Sequence, residues 1–342
     1  MTSTTLIDAR EALYKMFHGL DAYQKVIDSD VDVVLLCTPP HWRPMHAEAA
    51  INAGKHIFAE KPIAVDPVGV RRFIAAGKKA KEKGLAVLAG TQRRHSDAYR
   101  PAVDSVHDGV IGKITGGSMF FCRGGGRTPS AQREGESDMD WMLRNWWWFS
   151  WVSGGMIGQL VIHQIDIMHW IMGGPCKSAY GFGGREVYRD RIYGNIFDHF
   201  SVMYEFPNGE QFQAHTRQTP GTDGYIGDNF LGAKGRLVNA SNRSVLVDWN
   251  GKPIQMYRSK TSPFVLEHTN FVNSIRAGEP INEAQNVGES TLMAIMGQVS
   301  AWTGKKIDFE WMMNESQMDL TPPSYEEGEI PPVPVPGKTQ LV

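Results

Sequence analysis

Two short stretches hold the residue types that could do chemistry. The first is Glu60-Lys61-Pro62, a carboxylate and an ammonium side by side before a proline; the second runs Gln159-Leu160-Val161-Ile162-His163-Gln164-Ile165-Asp166. Histidine is the side chain whose ordinary charge change falls near neutral pH, so His163 can give or take a proton under working conditions. Residues three apart share a helix face, so Asp166 can lie near His163 and help orient it. Gln159 sits one turn earlier on the same face, where it can hydrogen-bond but carry no charge. The plain alternative for His163 is a core histidine satisfied by a backbone carbonyl.

The elements that must position these residues are legible in their flanks. Val31-Asp32-Val33-Val34-Leu35-Leu36 is apolar and β-branched and stops at Cys37-Thr38-Pro39-Pro40-His41, which predicts a buried parallel strand ending in a loop. Ligands of parallel sheets bind at such strand ends. His46 to Ala53 is Ala-rich and closes at Gly54, a crossover helix with a glycine stop. The next strand, His56-Ile57-Phe58-Ala59, then delivers Glu60 and Lys61 to the same edge as Thr38 and Pro39. Asp66 with Pro67 caps an amphipathic helix to Lys83, and Leu85 to Ala89 is a third strand, ending in Gly90-Thr91-Gln92-Arg93-Arg94-His95. His163 rides on a buried helix that starts at the Gly154-Gly155 pair.

The order strand, Thr-Pro-Pro-His, helix, Ala-Gly-Lys-His-Ile-Phe, Glu-Lys-Pro, with the later Gly-Gly and His163-x-x-Asp166 helix, resembles the glucose-fructose oxidoreductase, inositol dehydrogenase and MocA family (Gfo/Idh/MocA). The resemblance spans about residues 14 to 310 and implies an NAD- or NADP-dependent dehydrogenase acting on a sugar, keto-sugar or cyclitol. It implies that Lys61 orients the reacting hydroxyl beside the nicotinamide and that His163, with Gln159 and Asp166, moves the hydroxyl proton. On the cofactor side it implies Thr38, Pro39, Pro40, His41, Glu60, Lys61 and Gln92; facing substrate, Arg94 with Trp146 and Trp151. One departure is Gln159, where many members place an Asp. Another is the absence of a Gly-x-Gly-x-x-Gly turn near the start, the element that holds a dinucleotide pyrophosphate on a helix N-terminus. In family terms the chain begins after the second strand, so the strand at Val31 is expected to expose an unpaired edge and dinucleotide binding to be weak or absent. Two further readings stay open: a non-redox lyase or hydrolase acting on 3-keto-glycosides, and a non-catalytic binding homologue.

The expected architecture is α/β. An N-terminally truncated Rossmann-like parallel sheet over residues 1–110 precedes an α+β domain with an open, mostly antiparallel sheet over 111–318 and a Pro-rich tail over 319–342. At the start, Thr5 to Lys15 reads as a helix, Tyr14 to His18 as a small strand and Leu20 to Ile27 as a helix. Six strand-like runs follow one another without helices, at 179–185, 200–206, 211–217, 225–231, 236–239 and 244–248, which implies antiparallel pairing. Helices follow at 266–277 and 287–303. The open sheet is also where a homo-oligomer is expected to form.

Composition narrows the partners. The chain is 42% hydrophobic with 35 basic against 37 acidic residues and a net charge of −2, which marks neither nucleic acid nor an anionic membrane as a partner. A small carbohydrate or polyol fits better. Cys37, Cys122 and Cys176 are too few and scattered for a disulfide framework, and with no signal pattern a cytoplasmic location is the expectation. His163, Asp166, His169, Asp198 and His199 are metal-ligand types, but their spacings point them apart, so no metal site is predicted. Trp141, Trp146, Trp147, Trp148 and Trp151 crowd together as packing or as a sugar-stacking wall.

Overall fold

A computed structural model describes residues 16–240 and 242–342. The helix expected at Thr5 to Lys15 lies outside the described residues, as do Tyr14 and Lys15 of the strand expected at Tyr14 to His18; Met16 to His18 carries no regular structure. Helix α1 (Ala22–Ile27) leads into a three-stranded parallel sheet, β1 (Val33–Leu36), β2 (His56–Ala59) and β3 (Val87–Ala89). α2 (Arg43–Asn52) and α3 (Pro67–Glu82) are its crossovers. α3 forms where the sequence says: the Asp66 side chain accepts Gly69 N at 2.7 Å, Pro67 opens the first turn, and Val70, Phe73, Ile74 and Ala80 are buried along one stripe. Among the described residues β1 is an edge strand of this sheet, and Leu35 on it is 59% exposed.

Helix α4 (Tyr99–His107) leads to the second sheet. Its first strand, β4 (Ile114–Arg123), is followed by an irregular polar loop, short helices α5 (Asp138–Arg144) and α6 (Ser150–Ser153), and the buried helix α7 (Ile162–Met172). Then come β5 (Ser178–Gly184), β6 (His199–Glu205), β7 (Gln211–Gln218), β8 (Tyr225–Gly232), β9 (Gly235–Ala240), β10 (Arg243–Asp248) and β11 (Pro253–Arg258). The six expected runs are all strands; β11 is an addition that its alternation of half-buried and exposed residues hid. Helices α8 (Pro263–Ala277) and α9 (Ala284–Thr303), the two-residue strand β12 (Ile307–Asp308) and α10 (Phe309–Asn314) complete the regular elements.

The nine strands run in the order β11-β10-β9-β8-β4-β7-β6-β5-β12. β4 lies at the centre, parallel to β7 and antiparallel to β8; every other pairing is antiparallel. One inner face, with Phe212, Ala214, Phe230 and Val202, is buried beneath α7 and α9, and the same contiguous core reaches Val34, Ile57 and Phe73 around the parallel sheet. The site lies where the ends of β1 to β3 meet the start of α7.

Candidate active site

Three strand ends set one side of the site. β1, β2 and β3 pair in register, Leu36 beside Ala59 and Ala59 beside Ala89, so the chain leaves all three at one level. Backbone bonds carry the alignment one residue on, with Glu60 N donating to Leu36 O at 3.1 Å and Gly90 N to Ala59 O at 2.8 Å. Thr38 to His41, Glu60 with Lys61, and Gln92 therefore share one edge. A β-carbon on Gly90 would come within 2.6 Å of Glu60 Oε2, so glycine is what lets that carboxylate lie across the end of β3. Gln92 opens a 3-10 turn, and its Oε1 is buried without a hydrogen-bond partner among the described residues.

The start of α7 forms the other side. Gly154 and Gly155 hold φ of 72° and 69°, a backbone region that side chains disfavour, and a β-carbon on Gly155 would strike Gln298 Oε1 at 2.1 Å. Ile157–Val161 is a π-turn, a deformation found often at functional sites. Lys61 Nζ donates to Gln159 O at 2.7 Å, tying the end of β2 to the helix that carries His163. Gln159 thus contributes its backbone oxygen, while its side-chain Nε2 donates to Ser153 O at 2.5 Å.

The electrostatics of this junction are dominated by dehydrated cations. Burial pushes the Lys61 amine down to about 8, with Glu60 opposing and the charges of Arg43 and Arg123 adding to the fall. Burial, then the charges of Lys61 and Arg93, hold the His163 imidazole well below its ordinary value. Among the described residues His163 Nδ1 is buried without a hydrogen-bond partner, so the plain reading of a core histidine satisfied by a carbonyl fails at that atom.

Three participants escaped the sequence reading. Arg43 is 5% exposed, donates from Nη1 to Pro62 O at 2.5 Å, and is pushed by burial down to about 10 with Glu60 opposing. Its signal was available: an arginine opening a helix opposes the macrodipole and so needs another reason to be there. Arg93 pairs with Asp228 at 3.3 Å, and burial raises that carboxyl to about 6 against the Arg93 charge. Nothing in the sequence links Arg93 to a β8 carboxylate.

Asp166 and Arg94, expected as site residues, are paired with each other. Asp166 Oδ2 accepts Arg94 Nε at 2.8 Å, and its Oδ1 accepts Arg94 Nη2 at 2.9 Å and Ser290 Oγ at 3.0 Å. This is a two-pronged buried fork, with the side chains 11% and 2% exposed. Arg94 of the 92–95 turn and Ser290 of α9 together capture the Asp166 carboxylate. Removing one partner of a buried pair leaves an uncompensated charge, so Asp166→Asn lowers unfolding free energy by about 3–5 kcal/mol. Urea denaturation measures it, and an unchanged midpoint would return Asp166 to a role in the cleft.

The tryptophans divide. Trp151 is 4% exposed, with its ring centre 5.1 Å from His41 and 6.2 Å from Trp42, so it offers no face for a sugar and is packing. Trp146 stays half-buried with Arg127 5.6 Å from its ring centre, and Arg127 also lies 4.8 Å from the Trp147 ring. Among the described residues no group of three or more His, Cys, Asp or Glu is placed to hold a metal, and no helix is long and apolar enough to cross a membrane. Asp198 instead accepts the backbone N–H groups of Glu186, Val187 and Tyr188.

Comparison with known proteins adds the following. Residues 9–90 match the family model described as an oxidoreductase family, NAD-binding Rossmann fold, and residues 99–238 match that of the GFO/IDH/MocA C-terminal domain. The chain is 25% identical over 286 residues to myo-inositol 2-dehydrogenase of Thermotoga maritima, covering 80% of this chain and 78% of that protein. It is 25% identical over 276 residues to inositol 2-dehydrogenase of Rhizobium meliloti, covering 77% and 76%. In fold it is similar to a levoglucosan dehydrogenase solved with NADH and levoglucosan, with a TM-score of 0.68 at 18% identity, covering 84% of this chain and 82% of that one.

Proposed function

This chain belongs to the GFO/IDH/MocA oxidoreductase family, and from that premise we propose that it oxidises a CH–OH group of a sugar or cyclitol, or reduces the matching ketone, with a nicotinamide dinucleotide. The observation that carries the reading is the 2.7 Å bond from Lys61 Nζ to Gln159 O, which brings the cation at the strand ends to the helix of His163. The inositol dehydrogenases among its relatives favour a polyol.

The residues present fit a nicotinamide at the strand ends. Gln92 Oε1 is a buried acceptor with no partner among the described residues, and Thr38, Pro39, Pro40, His41 and Glu60 line the same edge. When bound, the nicotinamide supplies the acceptor for the hydride leaving the substrate carbon. His163, kept as the free base by burial and by its cationic neighbours, accepts the hydroxyl proton. Lys61, charged below about pH 8, holds the negative charge that develops on that oxygen. Burial of both groups keeps their charges poorly screened and effective.

Incubation with NAD⁺ or NADP⁺ and a panel of cyclitols and aldoses, read as absorbance of the reduced nicotinamide, tests the proposal; no turnover with either dinucleotide in either direction would sink it. The pH profile tests Lys61 separately. Its folded amine is lowered from 10.5 to about 8, so the cation is present below that value and lost as pH rises through it. kcat/KM therefore falls above about pH 8; a plateau persisting to pH 10 would show that the charge on Lys61 is not what the reaction uses.

A further inference from the structure

After α10 the chain makes no further helix or strand, yet it is held closely against both sides of the site. Leu320 N donates to Asp66 Oδ2 at 2.9 Å, the carboxylate that also caps α3. Gly328 passes against Met139 of α5. Between these two anchors Tyr325 reaches back 284 residues in sequence to place its Oη 2.7 Å from His41 Nε2. Its ring centre is 5.9 Å from His41, 6.2 Å from Trp42 and 6.4 Å from Trp151. Trp42 belongs to the segment after β1, and Trp151 to α6, which precedes the His163 helix. One phenol from the tail therefore touches both walls of the site.

The state of His41 makes this contact specific. Burial pushes its imidazole down to about 4, with Asp319 opposing, so the ring is neutral at working pH. A neutral imidazole has one donor and one acceptor nitrogen, and a phenol hydroxyl can pair with either. Nε2 is bonded to Tyr325, and the backbone of Trp151 lies beside the same ring and, like Asp319, opposes the fall. The hydroxyl of Tyr325 thereby fixes the orientation of the ring of a residue at the strand-end edge, whichever of the two groups donates.

We propose that Tyr325 is a positioning residue for the dinucleotide, its hydrogen bond to His41 holding the Thr38-Pro39-Pro40-His41 loop in the geometry that receives the nicotinamide half. The inference rests on the reading of that loop as the cofactor edge. It goes beyond that reading by giving the Pro-rich tail a part in cofactor affinity. A plain staple would hold the tail down through the ring contacts alone, and the hydroxyl would then be dispensable.

The test is titration of the full chain with NADH and with NADPH, followed by quenching of tryptophan fluorescence, for the parent, Tyr325→Phe, His41→Phe and the double variant. Tyr325→Phe keeps the ring and removes one neutral hydrogen bond, worth about a three- to tenfold factor in an equilibrium. The expected result is a dissociation constant raised by about three- to tenfold with an unchanged thermal midpoint, and no additional weakening when Tyr325→Phe is added to His41→Phe. An unchanged dissociation constant, or a lowered midpoint with unchanged affinity, overturns the positioning role and leaves the dehydrogenase reading standing. Failure of the parent chain to bind either dinucleotide overturns the cofactor reading itself, and this inference with it.

Discussion

Replacing His163 with alanine lowers turnover by about 10²- to 10⁴-fold, the usual cost of removing a general acid or base, and leaves the unfolding midpoint close to that of the parent chain. The second half of that expectation comes from the structure. His163 Nδ1 has no hydrogen-bond partner among the described residues, so the substitution breaks no bond there and removes a ring that sits beside Lys61 and Arg93 charges. A satisfied core histidine would behave in the opposite way, with stability falling and activity following it. Steady-state turnover and a thermal melt of one preparation separate the two cases. Full activity in the alanine variant, or an unfolded one, would end the proton-transfer role.

Lys61→Ala should cost about 10²- to 10³-fold in kcat, as loss of one preorganised group stabilising a developing oxyanion does elsewhere. Stability moves differently here too. The buried amine is depressed to about 8, which means that the fold disfavours its charge, so its removal relieves a desolvation cost while losing the bond to Gln159 O. Strain of this kind is characteristic of functional positions, where activity and stability trade against each other. Lys61→Arg is not a mild substitute, since a planar guanidinium cannot reproduce a point ammonium in that space. Lys78 and Lys81, exposed at the end of α3, serve as the comparison: their alanine variants should match the parent in both measurements. Equal losses from Lys78→Ala and Lys61→Ala would reduce Lys61 to a contributor of general charge.

What the sequence determined by itself was everything carried by local pattern. Apolar runs ending at Pro39 and Pro62, the Asp66-Pro67 cap, the Gly154-Gly155 start of the His163 region and the turns between β5 and β10 each have a physical cause within a few residues, so strands, helices and their order followed. The positions of Lys61 and His163 at opposing ends of such elements followed as well. Asp166 shows where that reasoning stops: helical spacing puts it near His163 in sequence terms, but Arg94 and Ser290, from two other elements, capture its carboxylate. Period alone says which face of a helix is buried and not which polar group waits on the far side. The same holds for the parallel pairing of β4 with β7, for Arg43 against Pro62, for Arg93 against Asp228 and for Tyr325 against His41. Each joins groups distant in the chain, and each was decided only when packing brought buried polar atoms together, where an unpaired donor or charge costs more than a local preference can offset.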